Sequence, residues 1–183
     1  MKTDLFRLKD FVSAFIRKAR GLEQPLTPKG KFQLHHIRDG KIIGKYDFPN
    51  GITNVGKDSI LNVHFRNQTQ IPSWYIGLVD NASFSAFAAA DTMSSHAGWI
   101  ESVAYTEATR NAWTPAAPSG QAITNTTPVT FTINATVAVK GIFITSGSAK
   151  SGTAGTLWST GAFPAVVNAV NLDQLQVVYT LTT

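Results

Sequence analysis

The sequence predicts a mainly β protein: a β-sandwich or jelly-roll-like domain preceded by an N-terminal amphipathic helix and a β-hairpin with a short helix. Three observations carry this expectation. From Ile71 onward, short apolar-alternating segments recur between turn signals. The last 70 residues hold 14 Thr and 5 Ser against three charged residues, Lys140, Lys150 and Asp173, and threonine keeps the outer face of a strand wet without charge. A long three- and four-residue apolar periodicity occurs at the other end, over 4–20. The chain divides accordingly into a helical arm with a Pro-containing linker (1–30), a basic hairpin and short helix (31–66), and a β body (67–183).

In the arm, Leu5, Leu8, Phe11, Val12, Phe15, Ile16 and Ala19 share one helical face. Asp4 near the start and Arg17, Lys18 and Arg20 near the end suit the helix dipole. Gly21 is a natural terminator, and Pro25 and Pro28 forbid continuation. Charges at Asp4, Arg7, Lys9 and Asp10 interrupt any apolar signal-peptide core. Such a helix can lie on a membrane surface, but it more commonly buries its stripe on its own protein or a neighbouring subunit. A helix this short is marginal alone in water, which predicts ordering on assembly.

Lys31–Ile37 and Lys41–Phe48 flank Arg38-Asp39-Gly40, and Asp-Gly is a strong hairpin turn. Thr53 or Asn54 caps a short helix over about 56–66, with Ile60, Leu61, His64 and Phe65 on one face. Trp74–Val79 is apolar on both phases, as a buried central strand is. The segment 81–98 is ambiguous, and Trp99–Tyr105 alternates as a strand. Residues 114–127 form a loop leading to a strand, and Val129–Ile133 alternates with Thr on one face. Thr136–Thr145 is strand interrupted at Lys140-Gly141, Ser146–Gly155 is a turn region, Thr156–Ser159 is a short strand, and Leu175–Leu181 closes the chain as a strand.

The net charge of +5 hides an asymmetry. Residues 1–66 carry 13 Lys/Arg against 6 Asp/Glu, a net of +7, and residues 67–183 carry 3 against 5, a net of −2. A basic extension can meet nucleic acid or membrane, or simply dock on protein. The basic runs are short and lack interleaved aromatic residues, so no specific nucleic-acid binding is expected. With 43% hydrophobic residues the chain can build a core. Its apolar runs are far too short for a membrane-spanning helix. The absence of cysteine excludes disulfides, thiolate metal sites and thiol nucleophiles.

Few residues suggest chemistry. His35 and His36 are consecutive, so on a strand they face opposite ways. His64 and His96 have no metal-ligand spacing, and no metal or cofactor is expected. Ser94, Ser95, His96 and Asp91 contain the types of a catalytic triad, but no G-x-S-x-G elbow accompanies them, and a polar loop looks the same. Glu101 and Glu107 are the body's two glutamates and the one carboxylate pair to weigh for glycoside hydrolysis. Among the tryptophans, Trp74 and Trp99 are expected in a core or interface. Trp113, beside Thr114-Pro115, is expected to be the most open, where an indole can stack on a sugar.

Several stretches carry a resemblance in their joint order: Gln70–Asn81 (QIPSWYIGLVDN), Ala89–Trp99 (AADTMSSHAGW), Tyr105–Arg110 (YTEATR), Val129–Ile133 (VTFTI) and Lys140–Ile144 (KGIFI). Together they resemble small virion proteins of tailed bacteriophages and prophages, over roughly residues 45–183. The resemblance implies a non-enzymatic structural protein of the particle, a head decoration or cement protein, that contacts the major capsid protein and copies of itself. A tail-fibre or tail-associated glycan-binding module is the rival reading, and a glycan hydrolase a further one. The resemblance supplies no active-site residues. The contact residues expected in the arm are Phe11, Phe15, Arg17 and Lys18.

Overall fold

A computed structural model describes residues 27–183 of the chain. The helix expected over 4–20 lies outside the described residues. The rest is mainly β. Two antiparallel sheets share one apolar core, and a single helix is present among the described residues.

Strands β1 (Lys29–Arg38) and β2 (Lys41–Pro49) form the expected hairpin. Its turn places both Asp39 and Gly40 at positive φ, 50° and 73°, the geometry that two-residue hairpins need for strand twist. The short β3 (Gly51–Ile52) follows, then α1 (Asn54–Phe65). Thr53 is the N-cap: its side chain accepts from Gly56 N at 3.0 Å. The same hydroxyl donates to the Leu157 carbonyl, and Thr53 N donates to Trp158 O at 3.0 Å. The first turn of α1 is thereby tied to a strand. Gly56 packs so closely on the Trp158 carbonyl that a Cβ would collide with it.

The remaining strands are β4 (Trp74–Asp80), β5 (Glu101–Ser102), β6 (Asn111–Trp113), β7 (Ala122–Thr124), β8 (Val129–Thr132), β9 (Val137–Thr145), β10 (Leu157–Ala169) and β11 (Gln174–Thr182). One sheet runs β2-β1-β11, with β7 and β8 both pairing β11; the other runs β3-β10-β9-β4, with β5 and β6 both pairing β4. Strand β1 pairs with β11 from Lys29 opposite Thr182 to Ile37 opposite Gln174. The hairpin at 31–48 and the β body thus build one sheet together.

Alternation decides which side chains enter the core. Phe32 and Leu34 on β1, Val129 and Phe131 on β8, and Leu175, Val177 and Tyr179 on β11 point inward from one sheet. Ile76, Leu78, Val139, Ile142 and Ile144 meet them from the other. The outer face of that second sheet is also covered. Val79, Phe143 and Leu157 lie under Met93 and Trp99, with Phe84 and Phe87 packed on them. This explains why β4 is apolar on both phases. The segment 81–98 is therefore a lid over the sheet, held by its aromatic residues: Phe87 and Trp99 stack edge-on at 5.7 Å.

The structure departs from expectation in three strands. Only Glu101–Ser102 of the Trp99–Tyr105 segment is strand, because Trp99 is drawn onto the sheet face, where its indole donates to Asp91 at 2.9 Å. Strand β10 extends through Ala169, far beyond Ser159, because an irregularity between Ala162 and Val167 absorbs Pro164. The break expected at Lys140-Gly141 is a bulge within continuous β9, and Lys140 Nζ donates across it to Phe163 O at 2.8 Å.

One end of the first sheet is closed by a buried carboxylate. Asp173 accepts from Arg38 Nε and Nη2, both at 2.8 Å, from His36 Nε2 at 2.7 Å and from Val170 N at 2.9 Å. The Arg38 hydrogen bond, supported by the Val170 N–H and His36, holds the Asp173 carboxyl well below the usual carboxylate range. A depressed pKa contributes stability above the unfolded-state value of about 3.9 that is lost as pH falls through the folded value. We expect Asp173→Asn to be destabilised by about 2–3 kcal/mol near neutral pH. Denaturant melts from pH 6 down to pH 2 should show the gap from wild type narrowing with acid.

Candidate functional site

The most prominent concavity among the described residues is an open groove of about 350 Å³ between α1 and one end of the paired sheets. Ile60, Val63 and His64 face it from the helix, the i, i+3, i+4 set that one helical face presents. Trp74, Trp113, Ile144 and Trp158 line it from the second sheet, and Ile123, Tyr179 and Leu181 from the first. Ile60, Leu61, His64 and Phe65 share one side of α1, as the spacing predicts, but the groove takes only part of that side. Anchoring of the first turn turns Ile60, Val63 and His64 to the groove and leaves Leu61 and Phe65 54% and 81% exposed.

The tryptophans reach the groove for different reasons. Trp74 and Trp113 are directly opposed on β4 and β6. Trp158 lies at a bulge, between Leu157 paired with Thr145 and Ser159 paired with Ile144. The bulge aims its indole into the core, next to Trp74 at 5.8 Å between ring centres. Trp113 is buried, not the most open of the four, because its Nε1 donates to the buried Asn125 at 3.3 Å and its ring packs edge-on against Tyr179 at 5.5 Å. Trp74 is the half-exposed one.

Two buried polar groups organise the floor. The Tyr179 hydroxyl accepts from Trp158 Nε1 at 3.0 Å and Asn50 Nδ2 at 2.9 Å, and burial pushes its pKa up. Asn125 accepts from Tyr179 N at 2.8 Å and donates to the Thr127 and Val177 carbonyls at 2.7 and 3.1 Å. The polar edges of Trp113 and Trp158 are thus satisfied inside the protein, and the groove is offered mainly carbon surface. That lining suits apolar side chains.

The other sequence candidates are placed as follows. Phe11, Phe15, Arg17 and Lys18 lie outside the described residues. Asp91 accepts from Ala88 N and Trp99 Nε1, both at 2.9 Å. His96 stacks on Trp99 at 3.9 Å, and its Nδ1 donates to the Trp99 carbonyl at 3.0 Å. Ser94 bonds Thr92 at 3.2 Å. Asp91, His96 and Ser94 therefore each serve a local contact of the lid. Glu101 receives Arg110 Nε at 2.8 Å and Nη2 at 2.7 Å in a two-point pair, and also Ser151 N at 2.7 Å. Arg110, itself buried, donates further to the carbonyls of Gly147 and Gly152, both at 2.9 Å. This pair pins the 146–155 loop. Glu107 accepts from Thr132 N at 3.0 Å. His36 is buried on Asp173. Among the described residues no group of three or more His, Asp or Glu side chains is gathered as metal ligands, and no helix is long and apolar enough to cross a membrane.

The groove escaped the sequence reading because its lining comes from seven separate elements and the 66–73 loop, with no motif in any of them. The nearest signal was Trp at the edge of three strands beside a helix with apolar Ile60 and Val63. No family model matches the chain, and no match was found among curated proteins.

Arg110→Ala should cost about 3–5 kcal/mol because it leaves the Glu101 carboxylate buried and unpaired. Glu101→Gln, which keeps the shape and some of the hydrogen bonds, should cost less. Urea titration of both variants gives the order, and proteolysis of the 146–155 loop should accelerate only where the pair is broken.

Proposed function

We propose that the protein is a non-enzymatic structural component of a bacteriophage virion, a β-sandwich that decorates or cements the head through contacts with the major capsid protein and with copies of itself. One observation carries this beyond the sequence resemblance. The buried carboxylate, guanidinium and imidazole side chains among the described residues, His36, Asp91, Arg110 and Asp173, are all engaged in internal hydrogen bonds or ion pairs that tie loops and strands together. Such an arrangement favours rigidity over reaction, which is what a reinforcing protein needs. The basic N-terminal segment then supplies the grip. Positive charge steers it toward an acidic lattice, while the apolar stripe contributes most of the affinity.

The half-exposed Trp74, with Gln70 and the exposed His64 beside it on the groove, favours a second reading, a tail-associated module that binds host glycans.

Phe15→Asp should weaken attachment to particles on the order of tenfold, because burying one phenylalanine is worth about 1.5–3 kcal/mol. Reversing Arg17 and Lys18 to glutamate should slow association, with an effect that shrinks in high salt. Cryo-electron microscopy of particles carrying wild type or variant gives occupancy. Unchanged occupancy would remove the arm from the contact. Density restricted to the tail would favour the glycan reading.

A further inference from the structure

The groove has a lining, a mouth and a nearby tether, and these agree on an occupant. Its tryptophans present carbon because Trp113 and Trp158 donate their N–H groups inward, to Asn125 and Tyr179. Its apolar surface has a continuation on α1, where Leu61 and the 81% exposed Phe65 lie on the flank next to Ile60 and His64. A surface of this kind is unfavourable in water and calls for a cover.

The first 26 residues join the body beside that surface. Gly30 on β1 lies opposite Leu181 on β11, which lies opposite Ile123 on β7, and both Leu181 and Ile123 line the groove. The join is therefore about 10 Å, two strand spacings, from the groove wall. The linker 21–28 can span roughly 26–29 Å when extended, so it reaches the groove easily. The sequence ahead of the linker repeats Leu8, Phe11, Val12 and Phe15 at three- and four-residue steps, an apolar stripe that needs a partner surface. A tether of this length holds its segment at an effective concentration in the millimolar range, well above that of another copy in dilute solution.

We propose that the groove is the seat of the chain's own N-terminal segment, docked as a helix with Phe11 and Phe15 between α1 and the tryptophans. The seat is filled in the free protein, so ordering of the segment precedes assembly, and release from the groove makes the same stripe available to another surface. This holds whether or not the protein belongs to a virion.

The test uses the full chain with a benzophenone amino acid at position 15, in an equal mixture of ¹⁴N- and ¹⁵N-labelled protein. After illumination and digestion, mass spectrometry should find crosslinks to α1 or to the peptide containing Trp74, with both halves carrying the same isotope. Mixed-isotope crosslinks would overturn the own-chain seat in favour of a second copy. Crosslinks elsewhere, or none, would overturn the groove as the site. Phe65→Asp alters an exposed side chain that the fold does not need, and should lower the crosslink yield at least about fivefold with an unchanged β circular dichroism spectrum. An unchanged yield in Phe65→Asp and in the groove-lining variant Val63→Asp would also overturn the proposal.

Discussion

The Asp173 carboxylate is the constraint from which the rest of the arrangement follows. It stands in the turn between β10 and β11 and binds His36 and Arg38 on β1. A carboxylate buried this deeply is tolerable only when its lone pairs are filled. Two β1 side chains and the Val170 N–H fill them here. The clamp sets the register of β1 on β11 at one end, and the Asn50–Gly30 and Asn50–Tyr179 hydrogen bonds fasten the other. A slip of one residue would turn Phe32 and Leu34 out of the core.

That register places Lys29 beside Thr182, so the preceding chain meets the body at the mouth of the aromatic groove. The groove itself depends on α1 being held by its first turn on Leu157 and Trp158, with the later turns projecting over the sheet ends. The groove and the point where the chain enters β1 thus depend on two separate anchoring devices, one electrostatic and one a helix cap. Buried ion pairs tie the loops to the strands, and the groove opens where Trp74 stands half-exposed.

How much of this the sequence disclosed depends on the range of the interaction. Local signals were legible: Asp39-Gly40 for the hairpin, Thr53 for the helix start, and the Val129–Ile133 alternation for β8. The mainly β character followed from them. Features set by distant partners were hidden. Trp113 looked open beside Thr114-Pro115, yet Asn125 and Tyr179 bury it. The strand expected over Thr156–Ser159 runs on to Ala169, because a bulge lets β10 continue past Pro164. The catalytic types around Asp91 and Glu101 were visible as composition, while their partners, the Trp99 indole and the Arg110 guanidinium, were not. The contact residues proposed in the arm rest on periodicity alone.

The pairing of β1 with β11 joins residues up to 153 positions apart in the chain. During synthesis β1 leaves the ribosome long before β11 exists, so the β1 edge that β11 covers must wait unpaired until β11 has been made. Closing so long a loop is slow, and the final docking of β11 should gate maturation. The basic side chains at Lys29, Lys31, Lys41 and Lys45 then act as a guard for the nascent hairpin, since charge on an open edge discourages pairing between neighbouring chains on the same message.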